Sequence, residues 1–331
     1  METPLPPRLR PQRRPIGRAH GRRHLGLTTR LRGTECRHTG RARGRRHLGL
    51  TTRLRGPGAA LCGSRWFSLC AKGRLALAGV RHIMLNNPKK RNALSLSMLK
   101  CLRDDILHDI KSKALRVIII SAEGPVFSAG HDLKELSSEW DMKHHIEVFD
   151  TCAEVMTLLQ KLPIPVIAQV NGLATAAGCQ LVASCDIAVA SEKSQFATPG
   201  VNVGLFCSTP AVAVGRALSK KVALEMLFTG EPISAHNALL HGLLSRVVPE
   251  DKLEEETMKI ARKICEASRS VVALGKATFY RQMALDLDAA YRMTSQVMVD
   301  NLTLKDGHEG IEAFIQKCKP TWSHDVSTAC K

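Results

Sequence analysis

Short apolar runs alternate with stretches of helical spacing from about Arg74 onward, and this alternation limits the fold more than any other feature. Leu115–Ser121, Pro165–Val170 and Asp186–Ala190 are short runs rich in valine and isoleucine, so they predict buried strands. The neighbouring segments predict a strand pair at 74–86 and helices at 94–110, 145–162 and 174–184. Strand and helix units that follow one another in this way predict an α/β fold.

The C-terminal part of the chain has a different pattern. From Ser219 onward the apolar spacing is almost wholly helical. The clearest predicted helices lie at 250–267, 271–304 and 309–319. We therefore predict a main domain at 74–265 and a C-terminal helical region at 266–325.

The first 66 residues form an Arg-rich head that we expect to be disordered. Residues 1–60 contain sixteen arginines, no lysine and two glutamates, which accounts for fourteen of the chain's eighteen net positive charges. Residues 17–33 recur almost unchanged at 40–56, but two copies are too few for a repeat fold. A mitochondrial presequence is the favoured interpretation. A basic arm for nucleic acid and an artefact of the predicted start of the coding sequence are the alternatives.

Two motifs of small residues occur in the main domain. The first is Phe127-Ser-Ala-Gly-His-Asp-Leu-Lys-Glu-Leu136, and the second begins Asn171-Gly-Leu-Ala-Thr-Ala-Ala-Gly-Cys-Gln180 and continues to Ala190. In this order and at this separation they resemble the paired oxyanion-hole signatures of the enoyl-CoA hydratase/isomerase (crotonase) family. The resemblance extends from about Arg74 to Trp322. It implies a crotonase-like spiral of ββα repeats, a C-terminal helical trimerisation region, and an acyl-CoA pocket linked to fatty-acid metabolism.

The resemblance also implies how the site stabilises negative charge on its ligand. The carbonyl oxygen of a thioester gains negative charge when the α-carbon is deprotonated or the β-carbon is attacked, and two convergent backbone N–H groups stabilise that charge. In this chain the donors map to the N–H groups of His131 and Ala177, the second with the added dipole of a helix start. Ala176 and Ala177 stand where many relatives have glycines, so their methyl groups narrow the slot without removing the donors.

The chain departs from the family pattern at the two positions where acid and base groups are expected. Hydratases of the family carry glutamates where this chain has Gln180 and Gly200. A glutamine can orient a water but cannot take its proton, and a glycine has no side chain. Because each lost proton-transfer partner typically costs about 10²–10⁴ in rate, we expect hydratase activity to be weak or absent.

Other groups near the motifs each have a catalytic and a structural interpretation. The His131 imidazole titrates near neutral pH and is a candidate base, although we favour a ring that packs on the loop or faces solvent. Asp132 and Glu135 are expected to cap and pair at the turn. Cys207 and Ser208 follow the second glutamate position, but they lack an obvious paired base, which argues against nucleophilic catalysis.

Basic residues in two segments predict where coenzyme A phosphates bind. Asn87-Pro-Lys-Lys-Arg-Asn-Ala-Leu94 resembles the family's nucleotide loop. The segment from Asp306 to Trp322 resembles its closing helix, which lends basic residues to a neighbouring subunit's ligand. Clustered cations suit phosphate, although a charge run alone is more often a solvated turn. The implied coenzyme A contacts are Lys89, Lys90, Arg91, Ala93, Ser128, Asp132, Leu133, Lys317 and Lys319.

Composition limits the cofactors and partners. The eleven cysteines contain no Cys-x-x-Cys pair, and His144-His145 lacks further ligand spacing, so we predict no metal and no cofactor besides the coenzyme A thioester as ligand or substrate. No apolar run approaches the roughly 18 residues of a membrane span. The resemblance implies a homotrimer or hexamer in the mitochondrial matrix.

Three functional hypotheses remain open. The first is an acyl-CoA-binding protein with little hydratase activity. The second is an active hydratase, isomerase or other acyl-CoA enzyme that uses different acid and base groups. The third is RNA binding through the basic head, although we do not expect nucleic acid as a partner.

Overall fold

The structure is a computed structural model and describes residues 79–328. The predicted head at 1–66, and the first part of the strand pair predicted at 74–86, lie outside these residues. Within them, no helix is long and apolar enough to cross a membrane.

Two sheets form the centre of the described chain. The first holds five parallel strands in the order β1-β2-β4-β6-β9, and the second holds β3-β5-β7-β8, with only β8 antiparallel. The strands are β1 Val80–Leu85, β2 Val117–Ala122, β3 Val126–Ser128, β4 Val166–Val170, β5 Leu173–Thr175, β6 Ile187–Ser191, β7 Gln195–Ala197, β8 Ile233–Ser234 and β9 Arg246–Val248.

Helices connect and cover these strands. They are α1 Leu96–Leu107, α2 Met142–Lys161, α3 Ala177–Ser184, α4 Ser208–Ala217, α5 Lys220–Thr229, α6 Ala235–Leu240, α7 Leu253–Cys265, α8 Arg269–Gln282, α9 Leu287–Thr303 and α10 Lys305–Ile315. Three times in succession, one strand enters the first sheet, the next enters the second, and a helix follows. The predicted α/β spiral of ββα repeats, followed by C-terminal helices, is confirmed.

The elements differ from the sequence predictions in three places. A helix was expected at 174–184, but Leu173–Thr175 is strand β5 and α3 begins only at Ala177. The short strands β8 and β9 interrupt the part predicted to be almost wholly helical. The long helix expected at 271–304 is divided into α8 and α9, because the Asp286 side chain accepts the Ala289 N–H at 2.8 Å and caps a new helix.

Strand β2 shows why the first sheet was easy to predict. Ile118 and Ile120 face the main core, whereas Val117 and Ile119 face a second cluster that includes residues of α7. A parallel strand covered on both faces is a continuous apolar run.

A buried ion pair fixes the first C-terminal helix to the spiral. Lys276 Nζ of α8 lies 2.6 Å from Asp186 Oδ2, and it also donates to the carbonyl oxygens of Leu159 and Ile164. The Tyr280 hydroxyl donates to Asp186 Oδ1 at 2.8 Å. Burial lowers the pKa of Lys276, and the Asp186 carboxylate opposes that change. Because the two charges pair, α8 is held at Asp186, directly before β6 and six residues after the predicted site residue Gln180.

A second carboxylate orders the segment after α10. Asp306 accepts hydrogen bonds from the Ser268 hydroxyl and from the backbone N–H groups of Ser323 and His324. Burial raises the pKa of Asp306, but these hydrogen bonds outweigh burial and lower the pKa to about 2. The chain after α10 is therefore tied back to the start of α8.

Candidate active site

The two small-residue motifs of the sequence meet in the structure. Strands β3 and β5 are parallel neighbours, so the turns that follow them lie at the same edge of the sheet. Gly130 has a φ of +83°, and a Cβ placed on it would lie 2.9 Å from the Ala176 Cβ and 3.1 Å from the Ala177 nitrogen. Only glycine allows this approach, which brings the residue after Gly130, His131, beside the start of α3.

Two backbone donors are left free where the turns meet. Helix α3 begins at Ala177, so the N–H of Ala177 has no partner inside the helix. Among residues 79–328, neither this N–H nor that of His131 donates to a protein acceptor. Ala176 is held by its own N–H, which donates to the Ala197 carbonyl oxygen at 2.9 Å. Paired free donors at a helix start suit a developing oxyanion.

Asn92 joins the basic loop to the first motif, and the sequence analysis assigned it no role. Its side-chain amide is fully buried and donates to the carbonyl oxygens of Glu123 and Val126 at 2.9 and 2.7 Å. Its side-chain oxygen accepts the Asn87 N–H, and its carbonyl oxygen accepts the Ser128 hydroxyl at 2.8 Å. The predicted contact residue Ser128 is therefore a buried brace between the loop and the turn.

The three predicted phosphate-binding cations are exposed on this loop. Lys90 Nζ lies 3.2 Å from Asp132 Oδ2, whereas Lys89 and Arg91 form no ion pair with any residue in the described range. Ala93 follows them, half-buried, with its N–H donated to the Lys90 carbonyl oxygen at 3.1 Å. The loop thus presents at least two cations that no carboxylate among residues 79–328 neutralises.

The carboxylates after the first motif hold backbone groups. Asp132 accepts the Lys134 N–H at 3.1 Å and caps the 3-10 helix Leu133–Leu136. Glu135 accepts the Leu96 N–H at 2.7 Å, at the start of α1. These contacts position the turn, and they leave Leu133 58% exposed beside it.

The His131 ring packs on the loop. Its Nδ1 lies 3.3 Å from the Leu94 carbonyl oxygen, and the ring meets Phe149 edge-on with centroids 5.2 Å apart. Burial lowers the pKa of His131, and the hydrogen bond to Leu94 opposes that change only in part. Burial therefore favours the neutral ring, in which the contact with the Leu94 carbonyl oxygen requires the proton on Nδ1. The buried Nε2 has no partner within residues 79–328.

The positions of the two absent glutamates differ in how much room they leave. Gln180 lies on α3, is 4% exposed, and its Oε1 has no partner in the described chain. A Cβ placed on Gly200 would lie 2.4 Å from the Leu205 carbonyl oxygen and 2.8 Å from Cys207 Sγ, so this loop leaves no space for a side chain. Burial raises the pKa of the Cys207 thiol, which makes the thiol a poor replacement base. Ser208 is exposed.

The remaining residues that the sequence analysis considered lie on other elements. Lys317 and Lys319 follow α10, which packs against α8 and α9. His144 stacks on Trp140 at 3.9 Å, and His145 Nε2 lies 3.3 Å from the Ser137 carbonyl oxygen. Within the described residues, no group of three or more metal-ligating side chains is found.

A spiral of ββα repeats with two backbone donors at neighbouring turns defines a protein of the crotonase fold. The family model described as enoyl-CoA hydratase/isomerase matches residues 76–325, and the chain belongs to that family.

Individual relatives are similar over the same region. Enoyl-CoA hydratase domain-containing protein 3, mitochondrial, of Rattus norvegicus is 72% identical over 246 residues, which cover 74% of this chain and 82% of that protein. The crystal structure of human enoyl coenzyme A hydratase domain-containing protein 3 matches with a TM-score of 0.74 and 71% identity, over 74% of this chain and 97% of that one. An enoyl-CoA hydratase structure from Mycobacterium smegmatis matches with a TM-score of 0.72 and 45% identity, over 74% and 95%. The names of the curated relatives confirm the predicted mitochondrial location.

Proposed function

We propose that this protein binds acyl-CoA thioesters and holds the thioester carbonyl oxygen between the N–H groups of His131 and Ala177. The close approach of Gly130 to Ala177, with both donors free, carries the proposal. Backbone donors aimed at one point favour an oxygen that carries partial negative charge. The ligand is linked to fatty-acid metabolism through its acyl group.

The coenzyme A phosphates would bind at the exposed basic loop. Lys89 and Arg91 have no carboxylate partner in the described chain, and Lys90 can exchange its Asp132 contact for a phosphate. In a homotrimer or hexamer, Lys317 and Lys319 would approach the ligand of a neighbouring subunit. Large apolar side chains on the C-terminal helices support self-association, since Met298 is 63% and Phe314 85% exposed.

Hydration of an enoyl thioester would be weak or absent. Gln180 cannot accept a proton from water, and Gly200 has no side chain. Leu205 and Cys207 also occupy the space that a side chain at position 200 would need. The oxyanion hole alone does not replace two proton-transfer groups.

Calorimetry with butyryl-CoA and a crotonyl-CoA hydration assay, on one preparation of the full chain, test this function. We expect saturable binding with hydration near the uncatalysed rate. A Lys89→Gln, Arg91→Gln double variant should weaken binding, whereas Lys263→Gln on α7, also an exposed lysine, should not. Rapid hydration would disprove the loss of the acid and base pair, and absent binding would disprove the function itself.

The His131 side chain supports a second candidate, an acyl-CoA enzyme with a different base. Its Nε2 is a buried acceptor without a partner in the described chain, on the residue whose own N–H is one of the two donors. If it acts as a base, a His131→Gln variant should lose turnover while keeping affinity for butyryl-CoA. Turnover that persists in this variant would exclude the ring as the base.

Residues 1–66 would direct the chain to the mitochondrion as a presequence. Their arginine content and near absence of acidic residues support this role. Import of a reporter fused to residues 1–66 into isolated mitochondria, with shortening of the product, tests it. A reporter that stays outside would exclude the role.

A further inference from the structure

The segment after α10 folds back over α10 and the end of α7, and we call residues 320–328 the C-terminal strap. The Thr321 N–H donates to Glu309 Oε1 of α10 at 2.7 Å. The Trp322 indole N–H donates to the Glu266 carbonyl oxygen, directly after α7, at 2.7 Å. Together with the buried carboxylate near the start of α10, these contacts hold the strap against the C-terminal helices.

His324 lies in the strap with an uncommon backbone conformation. Its φ is +58°, in the left-handed region that residues with a Cβ adopt only when surrounding contacts hold them there. Its N–H donates to Asp306 Oδ2 at 2.9 Å, and the next residue, Asp325, pairs with Lys113 at 2.8 Å. This conformation of His324 therefore depends on the docked position of the strap.

Both nitrogens of the His324 ring face hydrogen-bond donors. Nε2 lies 2.9 Å from Arg116 Nη1, and Nδ1 lies 3.3 Å from the backbone nitrogen of Arg269. A guanidinium group and a backbone N–H can only donate, so the ring can take part only as an acceptor. A neutral imidazole has one acceptor nitrogen, and a protonated imidazole has none. The docked strap therefore requires a neutral ring.

The charged groups around the ring also oppose its protonation. Arg116 directly precedes β2, Arg269 begins α8, and Lys113 lies in the loop before β2, whereas Asp306 of α10 is the carboxylate that favours a charged ring. Burial and the neighbouring cations together outweigh Asp306 and lower the pKa of His324. A proton on the ring would place two positive groups in direct contact.

We propose that His324 is a pH-sensitive latch: the C-terminal strap is docked while the ring is neutral and is released when the ring is protonated. In the released strap the ring titrates near the ordinary histidine value of about 6.5. Because the docked ring stays neutral, each pH unit below that value should lower the ratio of docked to released strap by up to about tenfold. The stability of the docked strap is fully present above pH 6.5 and is lost as the pH falls.

The two aspartates that hold the strap stay ionised in this pH range. Burial raises the pKa of Asp306, but its hydrogen bonds outweigh burial and lower the pKa to about 2. The hydrogen bond from Lys113 lowers the pKa of Asp325. The pH dependence of docking should therefore follow His324.

The strap supports α10, so the latch acts on the C-terminal helices. The Trp322 ring lies against Gly310 of α10, where an added Cβ would come 3.0 Å from Trp322 Cη2. The same helix carries Phe314, one of the exposed apolar residues on the surface proposed for self-association. The latch does not depend on the proposed acyl-CoA binding, because none of its contacts involves the two donor turns.

Hydrogen exchange of the full chain, with mass spectrometry of its C-terminal peptides, measures how often the strap opens. The N–H groups of Thr321, Ser323 and His324 are hydrogen-bonded in the docked strap. After correction for the intrinsic exchange rate at each pH, we expect their protection to fall about tenfold between pH 7.5 and 5.5. His324→Gln offers Arg116 an acceptor that does not titrate, so this variant should keep its protection.

Two further variants bracket the effect. His324→Arg carries a permanent positive charge, so its strap should already have low protection at pH 7.5. His308→Gln is the matched control, because it removes an exposed histidine of α10 and should retain the full tenfold change. Unchanged protection of β4 in every variant shows that the spiral is folded.

Three results would overturn the latch. Equal strap protection at pH 7.5 and 5.5 in the unmodified chain would show that protonation does not release the strap. A fall that persists in His324→Gln would assign the pH dependence to another group. Full protection of His324→Arg at pH 7.5 would show that the docked strap tolerates a positive charge between Arg116 and Arg269.

Discussion

The two halves of the candidate site use the chain in different ways. The backbone half consists of the N–H groups of His131 and Ala177, which are placed by the turns after two adjoining strands. The side-chain half consists of positions 180 and 200, where proton transfer would depend on side chains. Alanines can replace glycines in the first half without removing a donor, whereas one replacement at either position of the second removes an acid or a base. The proposed function therefore separates binding, which depends on the backbone donors, from turnover, which depends on the side chains.

In the side-chain half, position 200 also has no room for a side chain. The Leu205 carbonyl oxygen and the Cys207 Sγ lie only 2.4 and 2.8 Å from where a Cβ on Gly200 would be placed. A glutamate at position 200 would need the loop from 200 to 207 to move, so one substitution does not restore that group. A glutamate at position 180 meets no such contact with the backbone, since Gln180 is already of similar size.

The strongest test of the backbone half is Gly130→Ala. The added methyl group would lie within about 3 Å of Ala176 and Thr175 at a positive φ, so strain and overpacking together should lower the free energy of unfolding by about 3 kcal/mol. We also expect butyryl-CoA to lose its affinity advantage over free coenzyme A. Urea unfolding and calorimetry measure the two effects.

Gly204→Ala separates strain from contact. Gly204 also has a positive φ, +76°, but a Cβ there would have no atom within 4 Å. This substitution should lower the free energy of unfolding by only about 1 kcal/mol, and the variant should keep its preference for the thioester over coenzyme A. Equal behaviour of the two variants would show that the approach of the two turns does not create the binding site.

Gln180→Glu tests the side-chain half. Restoring one carboxylate should raise crotonyl-CoA hydration by about ten- to a hundredfold, at the lower end of what a single general acid or base contributes. Burial should raise the pKa of the new carboxyl group, so the gain should increase with pH. Gln180→Met is the control and should give no gain. A folded Gln180→Glu protein with unchanged hydration would show that position 180 does not face the thioester.

Ala176→Gly measures how much backbone strain at Ala176 lowers the free energy of unfolding. Ala176 has a φ of 48° and a ψ of −118°, a conformation that glycine adopts without a Cβ clash. Relief of this strain should exceed the entropic cost of glycine and stabilise the fold by about 1 kcal/mol, with thioester affinity unchanged. Chemical denaturation measures the change. A destabilised variant would show that the Ala176 methyl group contributes packing rather than strain.

The sequence could predict the parts of the fold that depend on local pattern. Strand β2 was predictable because both of its faces are buried, whereas β5 escaped detection because three residues are too few to establish a period of two. The two turns were predictable because close backbone approach requires small residues, and Gly130 and Gly178 both meet their neighbours within 3 Å of an added Cβ.

The contacts between distant segments could not be predicted from the sequence. The role of Asn92 depends on the carbonyl oxygens of Glu123 and Val126, more than thirty residues away. Residue type predicts what a side chain can do, but tertiary packing decides what it meets.

The smallest expected effect tests whether the His131 ring is buried against the loop that positions the backbone donor. Burial lowers the pKa of His131 below its ordinary value of about 6.5, so the folded state favours the neutral ring. The resulting stability is fully present above pH 6.5 and is lost as the pH falls through the folded-state pKa. Between pH 7.5 and 5.5 the unmodified protein should therefore lose a few tenths of a kcal/mol more than His131→Gln. His82 and His324, whose pKa values are also lowered, are common to both proteins and cancel. Parallel stability curves would mean that the ring is solvated and does not brace the loop that positions the backbone donor.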